Sequence, residues 1–504
     1  MTDILLAVDA GTSQIKAVAF DIKGEQQAVS SLSVKTLRPQ AGHVEQDMTV
    51  VWKQTATAIR RVIDRLPEAA TVNGLAITGQ GDGLWAVDSN GEPVQNAILW
   101  SDSRAASLIS EWKDDGTLDV IRRQCGSIPY PGMSFPLLAW LSKERPDVYG
   151  QIETILSAKD WITYQLTGVQ TIDQSEATVP YLDWETEVYG TEIFEHVNLP
   201  NAASCLPTLS SPTAIVGEVS AEAAKTTGLS QGLPVVSGPF DAPAAVFGNG
   251  AVTTGIGSVT LGTSLTQQML INNPMPEGQG VKMALGVNDL WTAAIGSNAG
   301  TQSLEWAAKT IAGIESIAEF ESIATEAPPG CQGVMYHPYL STSGERGPFT
   351  DPAARAQFIG LTPEHERQHI ARAVYEGLSF TVRDCLEHLP EEISSIRASG
   401  GGTKSELWCQ LLADCTGKPV SIPAVSNSSA MGAAMMLAIA LDEYPSLDVA
   451  ADQMLSVKQR YRPQSDPNQQ YERLYQLFVE LRKDFSSVWK RRMQAYQDIR
   501  KRKE

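Results

Sequence analysis

LAVDAGTSQIK, residues 6–16, is a strand-like apolar run that stops at Asp9 and then gives Ala10, Gly11, Thr12 and Ser13 to a turn. Alone, such a stretch reads as an ordinary hairpin. A second reading is open, because backbone N–H groups in a tight Gly turn, helped by Thr and Ser hydroxyls, make a concave donor cluster for phosphate oxygens. Glycine allows the backbone to approach closely where a side chain would clash. In this reading Asp9 is placed to hold Mg²⁺, a hard cation that prefers oxygen ligands, and Lys16 can reach a phosphate as a point charge. The rest of the chain has to supply a counterpart.

It does so at Gly262–Ser264, where the same three residues recur in TLGTS between two strand-like runs. Around both copies, strands alternate with helices, the pattern of an α/β protein. GLPVVSGPFDAPAAVFGNG reads as strand, turn and helix, GSVTLGTSLTQQMLIN as strand, turn and strand, and AGHVEQDMTVVWKQTATAIRRVIDRL as a helix started by Asp47. The repeated context points to internal duplication of one α/β unit. We expect two domains, residues 1–247 and 248–504, each long enough for its own core.

Composition narrows the class. The chain has 504 residues, a net charge of −19, 42% hydrophobic and 19% charged residues, an ordinary globular balance. Nucleic-acid and anionic-membrane partners need a concentrated basic surface, which this charge opposes. The one basic region, LRKDFSSVWKRRMQAYQDIRKRKE, has apolar residues at helical spacing and reads as a terminal amphipathic helix. Cys125, Cys205, Cys331, Cys385, Cys409 and Cys415 form no close pairs, which fits a reduced, cytoplasmic setting. No signal peptide or membrane span is expected, and AMGAAMMLAIA reads as a buried helix.

Other phosphate and hydrolase signatures do worse. There is no GxxxxGK[ST] loop, no complete GxGxxG after a strand and no G-x-S-x-G elbow. Asp241, at a strand-to-helix junction, is either a helix N-cap or the base that accepts a proton from a substrate hydroxyl. GQGDG at 79–83 is a plain turn or a loop presenting Gln80 and Asp82 to a polyhydroxylated substrate. Trp100 in AILWSDSRA either packs in the core or against a carbon chain.

In this order, these segments resemble the FGGY family of carbohydrate kinases over nearly the whole chain. VDAGTSQIKAVAFD resembles the family's first phosphate loop and TLGTS its second. GHVEQDMTVVW, ITGQGDG, AILWSDSRA and SGPFDAPAA match characteristic segments. GERGPFTDPAARAQFIGLTPEHERQHIARAVYEG resembles the C-terminal signature, and ASGGGTKSELWCQLLADCTGKPV with SSAMGAAMM the adenosine-binding elements. The resemblance implies an α/β fold of two actin-like ATPase (ribonuclease H-like) domains with ATP and sugar meeting in a central cleft. It implies Asp241 as general base and Asp9 with Asp241 as Mg²⁺ ligands. Gly11, Thr12, Ser13, Lys16, Gly262, Thr263 and Ser264 are then phosphate contacts. Gly300, Gly401, Gly402 and Ser405 line the nucleotide pocket, and Gln80, Asp82, Trp100 and Asp241 meet the sugar.

Two positions depart from the family pattern: Leu137 stands where Lys is frequent, and Asn427 where an acidic residue commonly precedes the small-residue helix. The loop with Asp82, rather than the His of typical D-xylulose kinases or the Arg-Glu of glycerol kinases, resembles the erythritol kinase-like subgroup, with L-xylulose kinase-like members second. A short acidic contact suits neutral hydroxyls and repels a sugar acid. The expected activity is transfer of the γ-phosphoryl group of ATP to a primary hydroxyl of a small polyol, erythritol first and a pentulose second. From another class, a non-kinase actin-fold ATPase switch shares the phosphate loops. A homodimer is compatible with either reading.

Overall fold

The computed structural model describes residues 2–274 and 280–501, so Met1 and the last three residues of the basic C-terminal segment lie outside the described residues. The chain divides into two compact units. Unit 1 holds residues 1–252, 271–292 and 425–456, and unit 2 holds residues 253–270, 293–424 and 457–504.

Unit 1 is built on β1 (Thr2–Ala10), β2 (Gln14–Asp21), β3 (Gln26–Ser33), β4 (Ala70–Gly79), β5 (Ile215–Glu218) and β6 (Pro234–Ser237). These form a sheet in the order β5-β6-β4-β1-β2-β3. β1 runs antiparallel to β2 and parallel to β4, which is parallel to β6 in turn. Ile4 to Val8 of β1 are fully buried without alternation, so the strand is covered on both faces. One face packs Leu6, Val8, Ala17 and Ala19 in a single core cluster with Ile59 and Val62 of the helix Met48–Ile63. Asp47 caps that helix, accepting the Val50 N–H at 3.0 Å.

Unit 2 repeats the plan with β7 (Ile256–Leu261), β8 (Leu265–Ile271), β9 (Trp291–Ser297), β10 (Ser395–Ser399), β11 (Val420–Pro423) and β12 (Val457–Tyr461). Six neighbouring strands of a seven-stranded sheet, in the order β9-β8-β7-β10-β11-β12, match β3-β2-β1-β4-β6-β5. The directions match as well: β7 is antiparallel to β8 and parallel to β10, β10 is parallel to β11, and β11 is antiparallel to β12. The two GTS turns fall at the same place in each sheet, between the first and second strands. The duplication expected from three shared residues therefore extends over six neighbouring strands.

The small-residue helix Ser428–Ala440 is almost completely buried, as its composition requires, and it belongs to unit 1. It crosses the helix Asp241–Gly248 at very close range. A Cβ on Gly432 would sit 1.9 Å from the Ala244 carbonyl oxygen, and one on Gly248 1.9 Å from that of Ser428. Only glycine permits this approach, and it fixes the helix that begins with Asp241.

Candidate active site

The turn after β1 is held by a ring of hydrogen bonds. Thr12 Oγ1 donates to Gln80 Oε1 at 2.9 Å, Gln80 Nε2 donates to Gln46 Oε1 at 2.9 Å, and Gln46 Nε2 donates to the Thr12 carbonyl at 2.6 Å. Trp100 Nε1 donates to Thr12 Oγ1 at 2.9 Å. Trp100 is 42% exposed, so it is not a core aromatic. Its loop is fixed from behind, where Asp102 accepts the Val44 N–H at 2.6 Å and Arg104 binds both Asp102 and Glu45. Gln80 is buried, and both ends of its amide are engaged with Thr12 and Gln46. Two residues expected to face the sugar thus shape the turn at Thr12.

Asp9 and Asp241 both belong to unit 1. Asp9 lies opposite Lys16 in the β1/β2 register and opposite Thr78 in β4. Burial raises the pKa of Asp9, and Lys16 partly offsets this. Asp241 is the first residue of its helix, and the cap position belongs to Phe240, which makes no side-chain cap bond. Asp241 therefore stands one residue inside the helix rather than at the cap, and its carboxyl accepts the Ala242 backbone N–H. Burial pushes its pKa up to about 8, with the Asp9 charge adding to the rise. The turn leading to Asp241 is pinned at three points. Gly238 N–H donates to the Ile77 carbonyl at 2.9 Å, Thr78 Oγ1 to the Pro239 carbonyl at 2.6 Å, and Phe240 N–H to Ser175 Oγ at 3.2 Å.

Behind that turn lies a buried charge cluster that the sequence did not disclose. Lys159 Nζ, on the helix Ala158–Thr167, contacts Asp160 at 2.5 Å and Asp173 at 2.8 Å, all three side chains being fully buried. It also donates to Ser237 Oγ at 3.3 Å, at the end of β6. Burial alone would lower the Lys159 pKa, but the two carboxylates hold it above its usual value. Asp173 caps the helix Gln174–Tyr181 through the Ser175 N–H at 2.8 Å. The cluster thus reaches the Asp241 turn by two routes, Ser237 and Ser175.

Asp82 sits in the left-handed region at φ 59°, next to Gly83 at φ 75°. Its N–H donates to Glu176 Oε1 at 2.6 Å, and Tyr130 Oη donates to Asp82 Oδ2 at 2.6 Å. Burial pushes the Asp82 pKa up to about 6, against the lowering by Tyr130. Burial likewise raises that of Glu176, reinforced by the Asp82 charge. These three residues and Ser175 line a cavity of about 160 Å³ whose remaining wall is Met133, Val179, Phe240, Val281 and Met283. Tyr130, Glu176 and Ser175 were not expected from the sequence. The only local signal was Asp173 opening a helix, and a cap says nothing about what the following Glu faces. Leu137 is fully buried in an apolar cluster with Met133, Phe135 and Leu141.

In unit 2, Gly300, Gly400 and Gly402 press against the second turn. A Cβ on Gly300 would meet the Thr263 carbonyl oxygen at 2.2 Å, and one on Gly400 the Leu261 carbonyl oxygen at 2.7 Å. Thr301 N–H donates to the Gly262 carbonyl at 2.8 Å. Gly401 is exposed, with open space around its Cβ position. Ser405 Oγ accepts the Trp408 N–H at 3.0 Å and caps the helix Glu406–Thr416. Unit 2 therefore gathers Gly262, Thr263, Ser264, Gly300 and the Gly400–Gly402 segment. In the second copy, the place of Asp9 is taken by Thr260, two residues before the Gly of the turn. The duplicated loops thus differ where a metal carboxylate is expected.

Among the described residues no helix is long and apolar enough to cross a membrane, and no group of three or more His, Cys, Asp or Glu forms a metal cluster. All six cysteines are free thiols.

Residues 4–248 match the family model described as FGGY family of carbohydrate kinases, N-terminal domain, and residues 257–441 match the C-terminal domain of that family. The chain is 31% identical to an erythritol kinase of Brucella abortus (strain 2308), covering 97% of both chains. It is 27% identical to an L-xylulose/3-keto-L-gulonate kinase of Escherichia coli (strain K12), over 95% of this chain and 97% of that one. Among solved structures it superposes on a xyloylose kinase from Brucella ovis with a TM-score of 0.87 at 27% identity, covering 96% of this chain and 100% of the other.

Proposed function

Because the chain belongs to the FGGY family of carbohydrate kinases, enzymes that transfer a phosphoryl group to an alcohol, we propose that its acceptor is a small uncharged polyol, erythritol first, and that ATP is the donor. The observation that carries this reading is the cavity beside Asp82. Its volume of about 160 Å³ lies below the range of roughly 300–1,000 Å³ usual for drug-sized ligands, which favours a short chain. Its polar side offers Asp82, Tyr130, Ser175 and Glu176, and its apolar wall suits a carbon backbone. Two carboxyl groups there favour hydroxyls over an anionic sugar acid. The similarity to an erythritol kinase supports the same choice, and the similarity to an L-xylulose kinase makes a ketopentose the second reading.

In the proposed reaction a primary hydroxyl oxygen of the acceptor attacks the γ-phosphorus. The new O–P bond forms as the bond to ADP breaks, and the hydroxyl proton passes to the Asp241 carboxylate. The raised proton affinity of Asp241 suits a base that works near neutral pH. The turns at Gly11–Ser13 and Gly262–Ser264, with Lys16, are assigned to the phosphates, and Gly300, Gly401, Gly402 and Ser405 to the nucleoside. Asp9 and Asp241 fit Mg²⁺ because both present hard oxygen donors and the Asp9 charge already works against ionisation of Asp241. Mg²⁺ there would offset the charge of the transferring phosphates.

The test is ATP-dependent ADP release with tetritols, pentitols, ketopentoses and aldonates. Turnover confined to a neutral tetritol is the expected result. A preference for an aldonate, or ADP formation indifferent to every acceptor, would sink the assignment. Asp241→Asn should retain ADP binding and lose turnover on the order of 10²–10⁴-fold.

A further inference from the structure

A carboxyl group in a protein interior normally has every oxygen partnered. Glu176 departs from this. Its Oε1 accepts the Asp82 N–H at 2.6 Å, while its Oε2 is buried and has no hydrogen-bond partner among the described residues. Lys159 lies against Asp160 and Asp173 and makes no hydrogen bond to it, so the ammonium charge offsets only part of the rise that burial gives Glu176. Glu176 also lines the cavity, alongside Asp82 and Tyr130. Tyr130 satisfies Oδ2 of Asp82. Glu176, with one oxygen uncommitted, thus stands beside Asp82 at the polar side of a cavity that is otherwise apolar.

We propose that Glu176 is a specificity-determining residue of the acceptor pocket. It binds an acceptor hydroxyl adjacent to the one held by Asp82, and it excludes acceptors that carry a carboxylate. The proposal rests on the reading of this cavity as the acceptor site. Its chemistry follows from the partners. Hydroxyl groups on adjacent carbons both donate and accept, so they can satisfy two carboxyl oxygens side by side. A sugar acid would bring a third carboxylate to a place where burial already disfavours two. Asp82 in its left-handed conformation is held by Glu176 Oε1, so one carboxyl both orients its neighbour and completes the set.

The experiment compares full-length wild type and E176Q in steady-state kinetics with erythritol and with erythronate, the aldonate of the same chain length. Gln keeps an oxygen for the Asp82 N–H and removes the acid. The expected result is a rise in KM for erythritol on the order of ten-fold, with kcat changed by less than about three-fold. The ratio of kcat/KM between erythritol and erythronate should fall on the order of ten-fold or more. KM and selectivity within about two-fold of wild type, or a loss of kcat with KM unchanged, would overturn the proposal. Should E176Q fail to fold, as judged by ADP titration, E176D tests the same point. It should raise KM yet still exclude erythronate, and an unchanged KM again overturns the proposal. A wild type inactive on every neutral polyol and ketose would instead refute the acceptor assignment itself.

Discussion

At the scale of single residues, two aspartates share a raised proton affinity, and their neighbours act on it in opposite senses. Asp241 has its rise from burial with help from Asp9, whereas Asp82 has it from burial while Tyr130 opposes the shift. For Asp82 the folded-state value of about 6 stands above the ordinary 3.8, so its contribution favours the fold at low pH and is lost as pH rises through about 6. D82N removes this dependence. Compared from about pH 4 to about pH 7, the Tm of D82N should gain on wild type as pH rises. A gap independent of pH would mean that burial does not hold the Asp82 proton. Asp82 itself was legible in the sequence because it falls in a Gly-rich loop. Its partner Glu176 was not, being 94 residues away and brought there only by folding.

At the scale of elements, the turn carrying Asp241 depends on a buried charge cluster behind it. Lys159 balances Asp160 and Asp173, and reaches Ser237 at the start of that turn. K159M leaves two buried carboxylates without their cation. Urea unfolding should register a loss on the order of 3–5 kcal/mol. A loss below about 1 kcal/mol would show that the cluster relaxes or hydrates. The crossing of the helices Asp241–Gly248 and Ser428–Ala440 makes a second demand. G432A places a methyl against the Ala244 carbonyl and should destabilise by about 3 kcal/mol, the upper end of overpacking costs. An unchanged Tm would mean that the two helices can slide apart. The composition of SSAMGAAMM announced close packing, but not which helix it packs against.

At the scale of the whole molecule, one six-strand plan is used twice, with the carboxylate of the first GTS loop replaced by Thr260 in the second. Ligands that bind the native state stabilise it by mass action, by about 2.7 kcal/mol at a hundred times Kd. In the wild type, which has no γ-phosphoryl group to transfer when ADP replaces ATP, erythritol and ADP should therefore each raise Tm by several degrees. A shift with ADP alone would keep the nucleotide loops and discard the polyol. The sequence by itself determined the α/β class, the duplicated turns and the helix start at Asp47, and it singled out the carboxylates at 9, 82 and 241 as candidates. These are local signals, carried by residues a few positions apart. Only the tertiary structure decided that Asp241 is no helix cap, that Gln80 and Trp100 brace Thr12, and that Ser428–Ala440 joins unit 1. It alone brought Tyr130 and Glu176 to Asp82, because contacts across many tens of residues are fixed by packing and leave no periodicity or spacing to read.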